Sequence, residues 1–517
     1  MENFIEKHRE KIVGVLNGFD RLVLRGTIRQ LAYTGGMMGF LSMTNTLLKD
    51  FSAIVQQKTG QLKEASFEAA GRLGRPVRYI ESAKDRKEDV ARQIAKDDGV
   101  KEGLVCVLTC VEPCMTYDVH RDRAGRKLEL VMRLRKCLHI YHYYMDPVFG
   151  FMSGRIQTWF PFNIQICLNG REWLARQMDG AGIEYERLDN CFPRISDGRK
   201  AQKLMDSQLR IRWPFHLDRI ARLLNPAHAD MFGDVRLNYY WSVYQSEWAT
   251  DLMFKSRKAL AGIYNTLARG AVSAFSCADV LRFLGRKPSG NFQGELLTSY
   301  AERAEGVRLK HLAKANSIKL YDKFGIVLRA ETTINDPYDF KVYRAVEGAS
   351  GGEKNWRVMR KGVADLKRRA DVSQASNERY LDSLAAVGTD SPLAAIVAPV
   401  CRPVTWNGAR VRALRPWEHE DKTLLQAVSR GEFCINGFRN RDLLSHLFAS
   451  SDLSSPEQKR RRSACVTRKL RMLRAHGLIK KVSGTYRYVL TDKGRQIITS
   501  IIEYQTLSLE QIYKAAV

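Results

Sequence analysis

From Lys459 to Arg495 the order of side chains leaves few folds open. The charge run Lys459-Arg460-Arg461-Arg462 opens a helical pattern, expected from about Pro456 to His476, that continues through Val466, Leu470 and Leu473. Gly477 stops the pattern, Leu478 and Ile479 start a strand, and Lys480-Lys481-Val482-Ser483-Gly484-Thr485-Tyr486-Arg487-Tyr488 reads as a basic hairpin before a last helix near Thr491. Upstream, a first helix over 420–429 packs Leu424, Leu425 and Val428 on one face. A second, over 437–448, turns Leu443, Leu444 and Leu447 inward behind Asn436 as its N-cap. Three helices, a hairpin and a closing helix are the elements of a winged helix-turn-helix, expected over 402–517.

In that arrangement the third helix lies in a DNA major groove. With Val466, Leu470 and Leu473 as the buried stripe, helical geometry turns Arg461, Arg468 and Arg471 outward and puts Thr467 on the flank. Arg462 falls nearer the stripe, but a long side chain in the first turn still reaches a phosphate. Arginine suits both guanine reading and phosphate clamping, and Lys480, Lys481 and Arg487 on the hairpin are placed to meet backbone or minor groove. The run Arg471-Met472-Leu473-Arg474-Ala475-His476-Gly477-Leu478-Ile479, followed by Tyr486-Arg487-Tyr488-Val489-Leu490-Thr491-Asp492-Lys493-Gly494-Arg495, resembles the recognition-helix end, wing and final helix of MarR-like winged-helix proteins. The resemblance covers about a fifth of the chain and implies nucleic-acid contact. The residues before Arg402 depart from the single small dimerising domain of that family, so its regulatory role does not carry over.

Charge points the same way. The 517 residues hold 84 Lys and Arg against 56 Asp and Glu, a formal net of +28. Such an excess attracts phosphate backbones through counterion release. Residues 402–517 hold 22 basic and 10 acidic side chains, so +16 of the net lies upstream, which fits either a second nucleic-acid surface, for DNA or RNA, on the body or uniform surface solvation. A membrane partner would need an amphipathic or lipidated segment, and none is evident. Met1-Glu2-Asn3-Phe4 opens no signal-peptide apolar core, and no run has the length to span a bilayer. Ten cysteines, mostly in apolar runs such as 104–114, read as buried thiols, so a cytoplasmic location is expected.

The expected fold class is mixed α/β and multi-domain: an α/β body with a mixed sheet over 1–195, a mainly helical region over 196–300, a β-hairpin plus long charged helix over 301–390, and the C-terminal module. Strands are predicted at 19–26, 77–80 and 104–108, with a further pair within 128–145 and 155–168. The aromatic segment 238–254 reads as helical, with helix continuing to Arg269; its aromatics fit an inter-domain core better than a stack of unpaired bases. Residues 347–353 form a glycine-rich flexible segment, and a helix is predicted over 361–387.

Several acids fall at apparent strand ends: Asp20, Glu81, Glu112 and Glu331. Nucleases and transposases gather such carboxylates around Mg²⁺ ions that activate water and stabilise a leaving oxygen, although strand-end acids also serve as caps and solvated turn residues. In the hairpin around Lys323-Phe324-Gly325, alternation puts Lys319, Tyr321 and Lys323 on one face of one strand and Arg329, Glu331 and Thr333 on one face of its partner. The elements Lys319-Leu320-Tyr321-Asp322-Lys323 and Leu328-Arg329-Ala330-Glu331 resemble parts of filamentous-phage gene II-type replication initiators, across about 30 residues. That resemblance implies a tyrosine nucleophile, Tyr321 or Tyr240, aided by a metal. The family's two histidines one residue apart are missing, since His139 and His142 stand three apart, and a cross-strand ion-pair ladder explains the same hairpin. His120, Cys137, His139 and His142 lack the tight pairs of a tetrahedral zinc site and read as satisfied histidines and a buried thiol.

Thr34-Gly35-Gly36 has no phosphate-loop lysine, which argues against an ATP-driven motor, and the chain has no Gly-x-Ser-x-Gly elbow for ester or peptide hydrolysis. Two readings follow. In one, a mobile-element or replication protein cleaves strands with Mg²⁺ held by some of Asp20, Glu81, Glu112 and Glu331, with Tyr321 as an outside candidate for the nucleophile. In the other, a non-enzymatic protein regulates transcription or binds structured RNA through 155–162 and 319–323.

Overall fold

The computed structural model describes all residues except 234, 236, 274, 276, 286–295, 346–353, 386–392, 430–432, 434–437, 449–454, 483 and 507–517. Asn436 and the glycine-rich segment therefore lie outside the described residues. The molecule is mixed α/β, and eleven of its described strands form one large sheet. In chain order they are β1 (Ile12–Ile28), β2 (Val77–Tyr79), β3 (Gly103–Asp122), β4 (Lys127–Asp146), β5 (Gly150–Gln157), β6 (Ile164–Asn169), β9 (Tyr239–Phe254), β10 (Leu296–Arg303), β11 (Gly306–Ala313), β12 (Asn316–Lys323) and β13 (Val327–Ile334). The small hairpin β7 (Tyr185–Leu188) and β8 (Cys191–Ile195) stands apart from the sheet. The spatial order is β10-β11-β12-β13-β9-β1-β6-β5-β4-β3-β2. All neighbours are antiparallel except the short β2, which pairs parallel to β3.

Two sequence expectations change here. Segment 239–254, read as helical, is the strand β9 beside β1 at the sheet centre, and the helix begins only at Arg257. Its aromatic and β-branched side chains suit a strand. The polar-apolar alternation that would reveal a strand is missing because both faces are covered: Trp248, Thr250 and Leu252 are buried on one side and Ala249 and Asp251 on the other. The sheet also runs across the boundaries drawn near 195 and 300, because β1, β9 and β13 are neighbours in space.

One face of the sheet carries a continuous helical layer. The helix Leu366–Ala385 lies under β9 and β13, where Gln374 accepts from Trp248 Nε1 at 2.7 Å and Asn377 accepts from Thr332 Oγ1 at 2.7 Å. The apolar side chains Leu22, Ile140, Ile156, Ile164 and Ile166 bury their bulk with the helix Phe51–Arg72. The opposite face is covered mainly at one end, by the helices Gly170–Gly180 and Gly198–Ser207 and by the β7–β8 hairpin. A further helix, Lys87–Asp97, lies over β3. The rest of that face, between these covers, is where charged side chains gather.

Residues 393–506 build a separate core from Leu424, Leu425, Val428, Leu443, Val466, Leu470, Leu473 and Ile498. Among the described residues its longer helices span His419–Val428, Asn440–Leu447, Pro456–Ala475 and Asp492–Thr506, with a two-stranded pair Ile479–Lys481 and Tyr488–Leu490 between the last two. The helix Pro456–Ala475 starts where its sequence says it should. Ser455 accepts from the Gln458 backbone N–H at 3.2 Å, and Pro456 needs no donor in the first turn. Gly477, at φ +71°, ends it.

Gly170 tests the tight join at the covered end. A Cβ there would come within 1.8 Å of the Phe19 carbonyl oxygen, so the backbone would have to move, whereas Gly180 meets nothing within 4 Å. Gly170→Ala is expected to destabilise the fold by about 1–3 kcal/mol and Gly180→Ala by much less, read as urea-unfolding midpoints.

Candidate functional site

Three carboxylates from distant parts of the chain meet at the centre of the sheet. β1 pairs with β9 as Phe19↔Trp248 and then Arg21↔Glu247, so Asp20 is the extra residue of a β-bulge. A bulge re-aims a side chain, and Asp20 turns to the polar face beside Glu247. From the other side, β13 sets Thr333 opposite Glu247 and Glu331 opposite Ala249, so Glu331 shares that face. One carboxylate oxygen from each of Asp20, Glu247 and Glu331 lies within 4.8 Å of the others. Asp20 and Glu331 are buried and Glu247 is half-buried.

Cations are threaded through these acids. Lys319 Nζ, opposite Glu331 on β12, lies 2.6 Å from Glu331 Oε1 and 3.2 Å from Glu247 Oε1. Arg329, fully buried, places Nη1 3.1 Å from Asp20 Oδ1, while its Nε and Nη2 fork onto Asp251 at 2.6 and 3.0 Å. Arg171 adds a second guanidinium to Asp251 at 2.8 Å. Asn190, at the turn between β7 and β8, donates to both oxygens of Asp20, accepts from Lys323 Nζ at 3.1 Å, and receives Arg329 Nη2 on its backbone carbonyl at 2.6 Å.

Burial alone would favour the neutral form of every group here. Around Lys319 the two glutamates outweigh burial, and its ammonium titrates above the ordinary lysine range. Burial pushes the Glu331 carboxyl up, with Lys319 opposing. At Asp251 burial is overcome by Arg329 and Arg171, which hold the carboxyl below the usual aspartate range. Tyr321, buried with Lys319 and Lys323 ammoniums 5.9 and 5.1 Å from its ring centre, has its hydroxyl pushed up to about 12 by burial and by Glu331.

The polar face continues along the sheet. Arg21 and Arg25 on β1 are exposed and pair in register with Asn169 and Gln165 of β6. Arg155 of β5 donates to Gln165 at 3.1 Å and to Glu112 of β3 at 3.1 Å. Beside Glu247, a pocket of about 540 Å³ is lined by Arg25, Thr27, Tyr244, Gln245, Asn335 and Lys361. Arg25, Lys361 and the amides there suit an anion the size of a phosphate. On β3 and β4 the same face brings together Cys114, Cys137 and His139, whose ligand atoms also lie within 4.8 Å of one another.

The sequence candidates fall into two groups. Asp20, Glu331, Lys319, Lys323 and Tyr321 share the central cluster. Glu112 does not: its strand lies four places from β1, so it sits about 20 Å away. Burial there would push its carboxyl up, but hydrogen bonds from Tyr141 and Lys87 hold it below the usual range. Glu81 is exposed just past β2, at the sheet edge. Tyr240 is exposed, with the Arg29 guanidinium 3.6 Å over its ring, and Trp241 and Trp248 are buried. Of the aromatic cluster Trp159-Phe160-Pro161-Phe162, both phenylalanines are fully buried. His142 is buried on the face opposite His139, and both its ring nitrogens are unpartnered. In the C-terminal module Arg461, Thr467, Arg468, Arg471, Lys480 and Lys481 are exposed. Arg462 is half-buried with its guanidinium 4.6 Å over the Phe448 ring, and Arg487 is half-buried.

Sequence reading missed Glu247, Asp251, Arg171 and Asn190. The first two were hidden by the helical reading of β9; as a strand, Glu247, Ala249 and Asp251 fall on one face by simple alternation. Comparison of the chain with protein-family models, with curated proteins and with solved structures returned no match.

Asp251→Ala leaves two guanidiniums buried without their shared counterion, and a loss of about 3–5 kcal/mol is expected in urea unfolding. Because the folded carboxyl titrates below the unfolded one, its contribution is full above about pH 4 and fades as pH falls through the depressed value. Wild-type stability should therefore drop on acidification below about pH 4, and Asp251→Asn should flatten that part of the profile.

Proposed function

We propose that the chain is a nucleic-acid-processing protein that binds a phosphate backbone along the polar face of its sheet and cleaves it with Mg²⁺ held by Asp20, Glu247 and Glu331. The observation that carries this reading is the convergence of those three carboxylates beside exposed Arg21 and Arg25 and the Arg25–Lys361 pocket. Carboxylate oxygens at this spacing suit a hard cation, which when bound would activate water and stabilise the leaving oxygen. Lys319 now lies between Glu247 and Glu331, so its ammonium would yield that place and turn to the incoming phosphate. Arg329 and Asn190 hold Asp20 on target. Tyr321 serves better as a wall of the site than as the attacking group, since a hydroxyl that titrates near 12 gives little phenolate at neutral pH.

Residues 402–506 supply the second contact as a winged helix-turn-helix, with Arg461, Arg468 and Arg471 toward the major groove, Thr467 on the flank and Lys480 and Lys481 on the wing. The exposure of these side chains, on a helix whose Val466, Leu470 and Leu473 stripe is buried, supports this assignment. The body and module together account for the two zones of positive charge. A second reading, binding without cleavage, is favoured by one observation: Lys319 and Arg329 already neutralise the cluster.

Labelled duplex DNA, single-stranded DNA and RNA incubated with the protein and Mg²⁺ separate the two. Cleavage that falls by about 100-fold or more in Asp20→Asn and in Glu331→Gln supports the catalytic reading; binding without scission in wild type overturns it. Replacing Arg468 and Arg471 together by alanine is expected to weaken duplex binding by roughly 1–3 kcal/mol per lost base contact and to lessen its salt dependence. Unchanged affinity and salt slope would remove this helix from the interface.

A further inference from the structure

Where β3 and β4 leave the body of the sheet, their geometry repeats the ingredients of a different kind of site. β5 pairs with β4 only from His139 onward, so residues 111–122 and 127–138 continue as a two-stranded ribbon. At its root, Cys114 stands opposite Arg135, Glu112 opposite Cys137 and Cys110 opposite His139. Residues 114, 137 and 139 therefore share one face of the pair, with the two cysteines set diagonally. His142 falls on the other face because it lies three positions along the strand from His139. Cys137 and His139 are buried and Cys114 is half-buried, so solvent reaches the cluster from one side.

We propose that Cys114, Cys137 and His139 bind a thiophilic divalent cation, zinc by the chemistry of the donors, through three protein ligands and one open coordination position. The donor atoms lie within 4.8 Å of one another, compatible with a shared tetrahedral centre. The His139 Nδ1 lies 3.3 Å from the Cys137 backbone carbonyl; because a carbonyl only accepts, this contact favours the proton on Nδ1 and so Nε2 as the ligand atom, and the His139 ring also hydrogen-bonds the Cys114 side chain. A ring nitrogen fixed by a backbone carbonyl is the usual outer support of a metal-bound histidine. On binding, each thiol loses its proton to solvent and no electron is transferred.

Neighbouring charge argues for the open position. Glu112, the nearest carboxylate in register, is occupied by Lys87, Tyr141 and Arg155, which leaves the fourth place to water or to an oxygen of an anionic ligand. Arg155 acts electrostatically on both cysteines, and Arg135 stands opposite Cys114. A phosphate oxygen is the chemical class that zinc and two guanidiniums would take together. A disulfide is the competing fate of two close thiols. Diagonal residues of an antiparallel pair have Cα atoms about 7–8 Å apart, beyond the usual disulfide range of about 4.4–6.8 Å.

The test uses the full chain purified under reducing conditions and dialysed against zinc, with elemental analysis and, separately, Co²⁺ as a spectroscopic substitute. The expected result is about one zinc per chain and a Co²⁺ spectrum with thiolate charge transfer and intense tetrahedral bands. Cys114→Ser and His139→Gln, checked for folding by circular dichroism, should weaken binding by at least about 100-fold, more than the loss of an outer-shell partner costs. Asp20→Asn should retain the zinc, so failure of the carboxylate site is distinguishable from failure of this one. Wild-type protein that takes up no zinc, a Co²⁺ spectrum without thiolate charge transfer, or a Cys114–Cys137 disulfide in a non-reducing peptide map would overturn the proposal. The wild-type spectrum does so independently of whether any variant folds.

Discussion

The centre of this molecule depends on one guanidinium. Arg329 is fully buried, yet it contacts Asp251, Asp20 and the Asn190 carbonyl, which ties β13 to β9, β1 and the β7–β8 turn. A lone charge at that depth would cost several kcal/mol, so the burial of this strand depends on those partners. The same pairing aims Asp20 at Glu247 and Glu331. Fold and candidate site thus share their electrostatics, and the acids that would act on a substrate are held by residues that also hold the sheet together.

Such coupling explains why the polar face can carry so many charges. Its cations and anions alternate from Lys319 through Glu331 and Arg329 to Asp20, and from Arg155 through Glu112 to Lys87. Each buried ion has an opposite neighbour within hydrogen-bonding distance, which the interior requires. Toward solvent the balance shifts to arginines, with Arg21 and Arg25 exposed on the same face. Two clusters with different donors, hard oxygens at the centre and sulfur with nitrogen at the ribbon root, lie along this one face.

Much of the local structure was legible in the sequence. The β12–β13 hairpin follows from alternation around Lys323-Phe324-Gly325, and the helix Pro456–Ala475 from the Val466, Leu470 and Leu473 stripe and the stop at Gly477. Asp20 and Glu331 were picked as acids at apparent strand ends, yet both lie inside their strands, β1 and β13. The same rule also picked Glu81 and Glu112, because position along a strand says nothing about which strands become neighbours. β9 was misread because a strand buried on both faces loses its hydropathic alternation, and Glu247 and Asp251 went with it. The grouping of Cys114 with Cys137 and His139 was hidden in another way: metal-ligand patterns in a sequence are short, while a hairpin brings together residues 23 and 25 positions apart.

By itself the sequence determined the elements and the charge: strand and helix periodicities, caps, turn glycines, and a basic excess concentrated toward the C-terminus. These are properties of residues and their near neighbours. Tertiary structure alone decided that β1, β9 and β13 lie side by side, that a bulge turns Asp20 to the polar face, and that Arg171 and Arg329 share Asp251. The reason is that strand order and register are set by the packing of both faces of the whole sheet at once. Which acids meet is therefore decided by contacts among residues hundreds of positions apart, and no local pattern encodes them.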